Sequence, residues 1–275
     1  MKFHFASDLH LERGALDVTV PEGDVLLLAG DIVVAKCFDP EQQESSVLER
    51  RERFEQFFLD VGRKFDQTFL IGGNHEPYGC EFDQAHELLR THVGDVEQYR
   101  TTYFDAGATM VGNVLLIFTP LWSDFDGQDP GCIEKVGRRL NDFKMIAKQC
   151  TDAEGKPGVR RFTPHDAIAE FQRATRFIRE TLAAHPGQPT IVVTHHGPTR
   201  QMLNKFLAGH NLDGGFVSDL EQLILGHPQI KYWVCGHTHV RKSVEIGETT
   251  VIANCRGYVG RERLATNFSF QTIEV

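Results

Sequence analysis

The chain alternates short apolar segments with amphipathic ones, and several of the apolar segments run directly into aspartate, asparagine or histidine. KFHFAS (2–7) has the alternation of a strand, and VLLLAG (25–30) is a continuous apolar run, typical of a strand buried on both faces. Five such strands are predicted, at residues 2–7, 25–30, 68–73, 190–196 and 231–237. Helices are predicted at about 41–65, 82–93 and 163–184. Alternating strands and helices predict an α/β domain with a mixed sheet or sandwich.

Length and charge limit the classes of protein that fit. The 275 residues are long enough to bury a full core, and we expect a single domain, 1–275. The net charge of −9 and the lack of a lysine- or arginine-rich run argue against extended nucleic-acid binding and against an anionic membrane surface. The six cysteines show no CxxC spacing, as in reduced proteins, and no signal peptide or membrane span is recognised. We therefore expect a cytoplasmic protein.

Polar residues follow five of the predicted strands at the point where each strand ends. In open α/β sheets the carboxyl ends of parallel strands border the ligand-binding crevice. Each group alone is compatible with ordinary turn or capping chemistry. Together they hold six of the thirteen histidines, which predicts one edge crowded with metal-ligating side chains. The five groups are Asp8-Leu9-His10, Asp31, Asn74-His75-Glu76, His195-His196 and His237-Thr238-His239.

The ordered series DLH, GD, GNHE, HHGP and GHTH, spanning residues 8–239, resembles the calcineurin-like metallophosphoesterase superfamily. The resemblance implies a four-layer αββα sandwich that holds two divalent metal ions. It assigns Asp8, His10 and His239 to the first ion. It assigns Asn74, His195 and His237 to the second ion, with Asp31 bridging the two and His75 as the catalytic histidine.

The residue types agree with these roles. Oxygen and nitrogen donors without cysteine suit Mn, Fe or Zn, of which we expect Mn. Two ions roughly 3.5–4 Å apart can share a hydroxide and hold the phosphoryl oxygens of an in-line displacement. His75, next to a metal ligand, is then free to protonate the leaving oxygen.

Two departures from the family pattern bear on specificity. GDIVVAK stands where the serine/threonine protein phosphatases of the superfamily have GDxVDRG, so that Val34 replaces their second aspartate and no arginine follows. LWSDF (121–125) and NCRGY (254–258) resemble a bacterial, phosphodiesterase-like branch. By the family pattern His195 is the ligand, and His196 is expected behind the ligands or at the substrate.

Residues 121–163 are rich in Gly, Asp and Pro and give no clear pattern beyond one amphipathic piece at about 135–149. We predict a lid over the metal edge, with Trp122 or Phe125 near the substrate and Arg256 on the opposite rim. The alternative is a segment that only covers the flank of the sheet.

The function that these features favour is hydrolysis of a small phosphodiester, possibly of the nucleotide type, by a metal-bridging hydroxide. A phosphomonoesterase is the alternative within the same chemistry, and a non-catalytic scaffold of the same fold is a third interpretation. A DNA nuclease branch shares the motifs, but the acidic charge argues against it. We expect a small phosphoester as the only partner, with no extended nucleic acid and no membrane, and the oligomeric state is left open.

Overall fold

Two β-sheets pack face to face in a computed structural model that describes residues 1–152, 154–204 and 212–275. Thirteen strands are present within these residues: β1 (Lys2–Ala6), β2 (Gly23–Ala29), β3 (Phe65–Ile71), β4 (Thr101–Phe104), β5 (Gly107–Val111), β6 (Val114–Phe118), β7 (Ala147–Thr151), β8 (Pro157–Arg161), β9 (Thr190–Val193), β10 (Ile230–Cys235), β11 (Arg241–Ile246), β12 (Thr249–Asn254) and β13 (Gln271–Glu274).

The first sheet has the order β13-β1-β2-β3-β4, and the second has the order β11-β12-β10-β9-β6-β5. Each sheet contains four adjacent parallel strands. They are β1, β2, β3 and β4 in the first sheet, and β12, β10, β9 and β6 in the second. The antiparallel strands β13, β11 and β5 close the edges. A separate hairpin joins β7 to β8.

Helices cover both outer faces. They are α1 (Ser45–Lys64), α2 (Phe82–Leu89), α3 (Phe125–Gln128), α4 (Pro130–Arg139), α5 (Asp142–Met145), α6 (Pro164–Ala184) and α7 (Glu221–Leu225). Short 3-10 turns lie at Ala35–Phe38, Glu97–Tyr99, Arg200–Met202, Asp213–Gly215 and Arg263–Asn267, and a π turn lies at Arg90–Gly94.

Side-chain alternation along the strands builds three apolar layers. In β2, Leu27 packs between the two sheets with Phe118 of β6, whereas Leu26 faces outward against the α1 side. On the outer face of the second sheet, Trp233 of β10 packs with Ile178 of α6. The order helix, sheet, sheet, helix confirms the expected four-layer αββα sandwich, and burial of β2 on both faces explains its continuous apolar run.

The segment 121–163, which we call the insertion, differs most from its prediction. Instead of an irregular stretch it contains α3, α4, α5 and the β7–β8 hairpin. It has its own apolar cluster, in which Trp122, Phe125, Phe143 and Phe162 are buried. Packing between these aromatic rings stabilises the segment. Because its helices and strands are short, hydrophobic periodicity in the sequence did not predict them.

Several boundaries also shift. The helix predicted at 82–93 ends at Leu89 and continues as the π turn. Ser218 Oγ, just before α7, accepts a hydrogen bond from the Asp124 backbone N–H. The predicted helix at 163–184 is present as α6, and Thr163 and Asp166 form a capping box at its start.

All six cysteines are free thiols, and only Cys150 is less than fully buried. Across the described ranges 1–152, 154–204 and 212–275, no helix combines the length and the apolar character needed to span a bilayer.

Candidate metal centre

The parallel strands deliver the predicted ligands to one edge of the sandwich. The loops after β1, β2 and β3 supply ligands from the first sheet, and those after β9 and β10 supply them from the second. A bridge between Ser7 and Cys255 joins the two sheets at this edge. The structure brings all seven predicted ligands together there, and their side chains are almost entirely buried: Asp8, His10, Asp31, Asn74, His195, His237 and His239.

Asp8, His10 and His239 form the first group. Their ligand atoms lie within 4.8 Å of one another. The Nε2 atoms of His10 and His239 face each other at 3.1 Å. The opposite ring nitrogens are held by carboxylates, His10 Nδ1 by Glu12 at 3.2 Å and His239 Nδ1 by Glu262 at 2.8 Å. A carboxylate behind a histidine fixes its tautomer and turns Nε2 toward a cation, so this group fits a metal ion.

Asp31, His195, His237 and Asn74 form the second group. His195 Nε2 lies 3.4 Å from Asp31 Oδ1 and 3.1 Å from Asn74 Oδ1, while its Nδ1 donates to the Ala29 carbonyl at 2.9 Å. Nε2 of His237 is buried and has no hydrogen-bond partner among the described residues. A buried donor atom without a partner is costly, and a second cation would satisfy it.

Asp31 stands between the two groups. Its Oδ2 lies 3.7 Å from His10 Nε2 on one side, and its Oδ1 faces His195 on the other. Burial, together with the carboxylates of Glu76 and Asp8, raises the pKa of Asp31 well above its usual range. Carboxylates crowded in this way favour a cation between them, so the position of Asp31 fits the bridging role that the resemblance implies.

Glu76 holds the loop that carries Asp31. Its buried carboxylate accepts hydrogen bonds from the backbone N–H groups of four residues: Asp31, Ile32, Val33 and Gly73. The loops after β2 and β3 are thereby fixed to each other. The GNHE motif thus contributes a structural glutamate in addition to Asn74 and His75.

Five of the seven predicted ligands have a left-handed backbone conformation. The φ angle is 52° at Asp8, 46° at His10, 57° at Asp31, 66° at His237 and 48° at His239. Such a conformation costs an L residue with a β-carbon about 1–3 kcal/mol, and it persists where the surrounding structure or the function requires it. The left-handed backbone at these five residues therefore lowers the stability of the fold but directs their side chains inward.

His75 lies beside the ligand groups and lines the cleft. Its Nδ1 is 3.3 Å from Glu12 Oε1, and its Nε2 is 3.1 Å from the Tyr258 hydroxyl and 3.9 Å from Asp31 Oδ2. Its ring stacks on Tyr78 with centroids 4.3 Å apart. His75 also comes within 4.8 Å of His10 and Asp31, so it is close enough to act on a group bound between them.

Five further residues at the site were not predicted: Glu12, Tyr78, Asp142, Tyr258 and Glu262. Glu12 accepts from both His10 and His75, and although its burial opposes ionisation, these bonds hold the pKa of Glu12 well below its usual range. Its place two residues after His10 in DLHLE was a local signal. Asp142 and Glu262 are distant in the sequence from the ligands they support, and no local pattern marks them.

The proposed substrate contacts require correction. Trp122 is only 3% exposed, and its ring packs against His196 and Phe162 with centroids 5.2 and 4.9 Å away. Phe125 is also buried in that cluster. These aromatics stabilise the insertion and do not face the cleft, because their apolar surface is more stable in the cluster than in water.

Arg256 and His196 are also withdrawn from the cleft. Arg256 is fully buried, and its guanidinium donates to the carbonyls of Leu9, Gly14 and Ala15, so it is not on the rim. His196 is buried, and its ring lies 4.2 Å from that of His237. It occupies the place behind the ligands, one of the two positions expected for it.

The cleft itself has a volume of about 480 Å³. His75, His237 and Tyr258 line it on the side of the sandwich. Residues 140–142 line it from the insertion, which therefore reaches the metal edge through Leu140, Asn141 and Asp142 rather than through its aromatics.

Two known proteins are similar to this chain in sequence. Part of the chain is similar to "3',5'-cyclic adenosine monophosphate phosphodiesterase CpdA" of Escherichia coli (strain K12), with 26% identity over 110 residues. That match covers 40% of this chain and only 38% of the length of CpdA. "Uncharacterized protein L509" of Acanthamoeba polyphaga mimivirus is 22% identical over 283 residues, covering 92% of this chain and 90% of the relative.

Two solved structures share the fold. "Phosphopantetheinyl Hydrolase (PptH)" from Mycobacterium tuberculosis superposes with a TM-score of 0.63 at 14% identity, covering 99% of this chain and 95% of the other. A "dimetal phosphatase" from Danio rerio superposes with a TM-score of 0.54 at 10% identity, covering 99% and 91%.

The family model described as "Calcineurin-like phosphoesterase" matches residues 1–241. This span contains His75 and all seven residues gathered at the metal edge. Because the model matches most of the chain, the protein belongs to the calcineurin-like phosphoesterase family.

Proposed function

We propose that this protein is a metal-dependent hydrolase that cleaves a small phosphodiester. The observation that carries the proposal is the convergence of seven buried oxygen and nitrogen donors beside a histidine that borders an open cleft. Family membership supports phosphoester chemistry, and the name of the E. coli relative supports a diester.

The chain's own residues fit two divalent cations. Asp8, His10 and His239 would hold one ion. Asn74, His195 and His237 would hold the other, with Asp31 shared. Divalent ions in such a site supply a nucleophile at neutral pH and offset the charge of the phosphoryl group. The donor set suits Mn, which we propose as the ion, with Fe or Zn as alternatives.

His75 would assist the leaving group. In the hydrolysis the bond between phosphorus and the leaving oxygen breaks, an oxygen from water joins phosphorus, and the leaving oxygen takes a proton. Glu12 accepts a hydrogen bond from His75 Nδ1, which leaves Nε2 directed at the Tyr258 hydroxyl and the cleft. A positioned acid of this kind is worth about 10²–10⁴ in rate.

The charge of the cleft favours a diester over a monoester. Among the described residues that line the 480 Å³ cleft there is no lysine or arginine. A phosphomonoester carries a second negative charge that side-chain cations commonly neutralise, whereas a diester carries one. A phosphoryl group that carries a single negative charge therefore matches this lining better.

The test uses metal-free protein reloaded with Mn and two substrates, bis(p-nitrophenyl) phosphate and p-nitrophenyl phosphate. We expect two ions bound per chain and a kcat/KM for the diester about tenfold or more above that for the monoester. A preference for the monoester would identify a phosphatase. Two bound ions without turnover of either ester would identify a non-catalytic scaffold.

The role of His75 is tested with His75→Ala. We expect both ions to remain bound while turnover falls, and the loss to be larger for an alkyl leaving group than for nitrophenolate, which needs little protonation. An equal loss for both leaving groups would contradict the acid role and favour charge stabilisation.

A further inference from the structure

A second cavity adjoins the metal cleft at His75. It has a volume of about 430 Å³ and shares His75 and Tyr78 with the cleft as lining residues. None of the seven metal-edge residues lines it. A substrate bound at the ions and reaching past His75 would therefore enter this second cavity.

The second cavity carries the cations that the metal cleft lacks. Arg13, Lys36 and Arg50 line it. Lys36 is half-buried and Arg50 is exposed, and within the described part of the chain neither forms an ion pair or a side-chain hydrogen bond. Arg13 lies 5.4 Å from the Tyr258 ring centroid and 3.8 Å from Glu12. Lys36 and Arg50, two cations without such partners beside a reaction site, are suited to an anionic ligand.

Two carboxylates also line the cavity and reduce its positive charge only in part. Glu12 accepts hydrogen bonds from His10 and His75 and lies 3.8 Å from Arg13, so it offsets Arg13 rather than Lys36 or Arg50. Glu44 is exposed, and solvent screens its charge. The three basic side chains outnumber these two carboxylates.

We propose that this cavity binds a second anionic group, a phosphate or phosphonate carried by the leaving group of the substrate. The inference rests on the proposed function, because His75 marks the side from which the leaving group departs. The substrate class is then a phosphodiester whose leaving alcohol bears its own phosphate. The bridging phosphorus would lie at the cations that the seven metal-edge residues would hold, and Lys36 and Arg50 would hold the terminal group.

The first experiment measures binding without turnover. The probe is 4-(phosphonomethyl)phenol, titrated by ³¹P NMR into metal-free protein, so that the phosphonate has no ion to bind. The test variant is Lys36→Gln with Arg50→Gln. The matched control is Arg176→Gln with Arg179→Gln, which removes the same charge from exposed positions on α6. We expect the test variant to bind about tenfold more weakly and the control to match the wild type. Equal weakening in both variants, or no binding to the wild type, would overturn the proposal.

The second experiment uses Mn-loaded protein and two methyl aryl phosphodiesters. In one the leaving phenol bears a para phosphonomethyl group, and in the other a para methyl group. We expect the wild type to favour the anionic ester through a lower KM, and the test variant alone to lose that preference while it still cleaves the methyl ester. Equal kcat/KM for both esters in the wild type would also overturn the proposal. If no protein cleaves either ester, the proposed function fails, whereas the titration still decides whether the cavity binds an anion.

Discussion

The side-chain amide of Asn74 donates a hydrogen bond of 2.8 Å to Oδ1 of Asp142, a residue of the insertion 68 positions further along the chain. The same amide donates to the Tyr78 hydroxyl at 3.2 Å. With its nitrogen held on this side, Asn74 presents its oxygen to the metal edge, 3.1 Å from His195 Nε2. The insertion is thus coupled to a predicted metal ligand, and whether it also closes over the substrate as a lid stays a prediction.

Asp142→Ala should weaken binding of the second ion. Without its acceptor the Asn74 amide can turn, and loss of a group that orients a ligand typically lowers metal affinity about 10–100-fold. Asp142→Asn keeps an acceptor oxygen and should retain most of the affinity. Calorimetric titration of metal-free protein measures the effect. Glu134→Ala, at an exposed position of the same insertion, is the control. Unchanged affinity for both ions in Asp142→Ala would show that Asn74 does not need this support.

Glu12→Ala should weaken binding of the first ion and slow proton donation by His75. The reason is that one oxygen of Glu12 accepts hydrogen bonds from both His10 Nδ1 and His75 Nδ1. We expect turnover to fall about 10–100-fold, more for alkyl than for nitrophenyl esters, with weaker binding of one ion. Glu12→Gln retains one acceptor oxygen and should recover part of both. The readouts are leaving-group dependence and metal titration, with exposed Glu49→Ala as control. Loss of activity with no change in either readout would leave Glu12 a merely structural role.

Arg256→Met should destabilise the protein without a specific effect on substrate. The substitution leaves the buried carbonyl of Leu9 and the partly buried carbonyls of Gly14 and Ala15 without their donor. We expect a loss of about 2–4 kcal/mol in the free energy of unfolding, measured by urea titration of metal-free protein. KM of the folded variant for bis(p-nitrophenyl) phosphate should change little. A raised KM with unchanged stability would instead support the earlier expectation that Arg256 meets the substrate.

Asp166→Asn should lower stability at neutral pH but not in strong acid. Burial opposes ionisation, but hydrogen bonds from Arg160 and Thr163 lower the pKa of Asp166 to about 2. Because the pKa of Asp166 in the folded protein lies below its ordinary value of 3.8, the stabilisation is complete above pH 3.8 and is lost as pH falls through about 2. We expect a difference of about 1 kcal/mol between wild type and variant at pH 7, shrinking toward pH 2. Urea titrations across pH measure it, and a pH-independent difference would contradict the linkage.

The sequence was sufficient for features encoded locally. Strand ends such as Asp8-Leu9-His10 and the capping residues of α6 can be recognised from a few neighbouring residues. The parallel topology then brings the strand ends together. Partners that come from elsewhere could not be predicted. Asp142 and Glu262 support ligands from distant segments, and their identity depends on how the insertion and the carboxyl-terminal loops pack.

The aromatic residues of the insertion were misassigned for a related reason. Trp122 lies in the long segment 121–163, which shows no clear helix or strand pattern, and an aromatic residue in such a segment suggested contact with substrate. An apolar ring is equally suited to burial in the protein interior. Whether the ring is buried there or contacts substrate depends on how much apolar surface of the protein packs against it. For Trp122 the ring of Phe162, 40 residues later in the chain, provides that cover.

The left-handed backbone at Asp8, His10, Asp31, His237 and His239 has a consequence for directed evolution of this enzyme. Glycine adopts that conformation readily, and asparagine adopts it more readily than most side chains. A screen that rewards heat resistance alone would therefore favour such replacements at these positions and remove the predicted metal ligands while the fold is retained. Selection for thermostable variants should therefore also require that each variant cleaves a phosphoester.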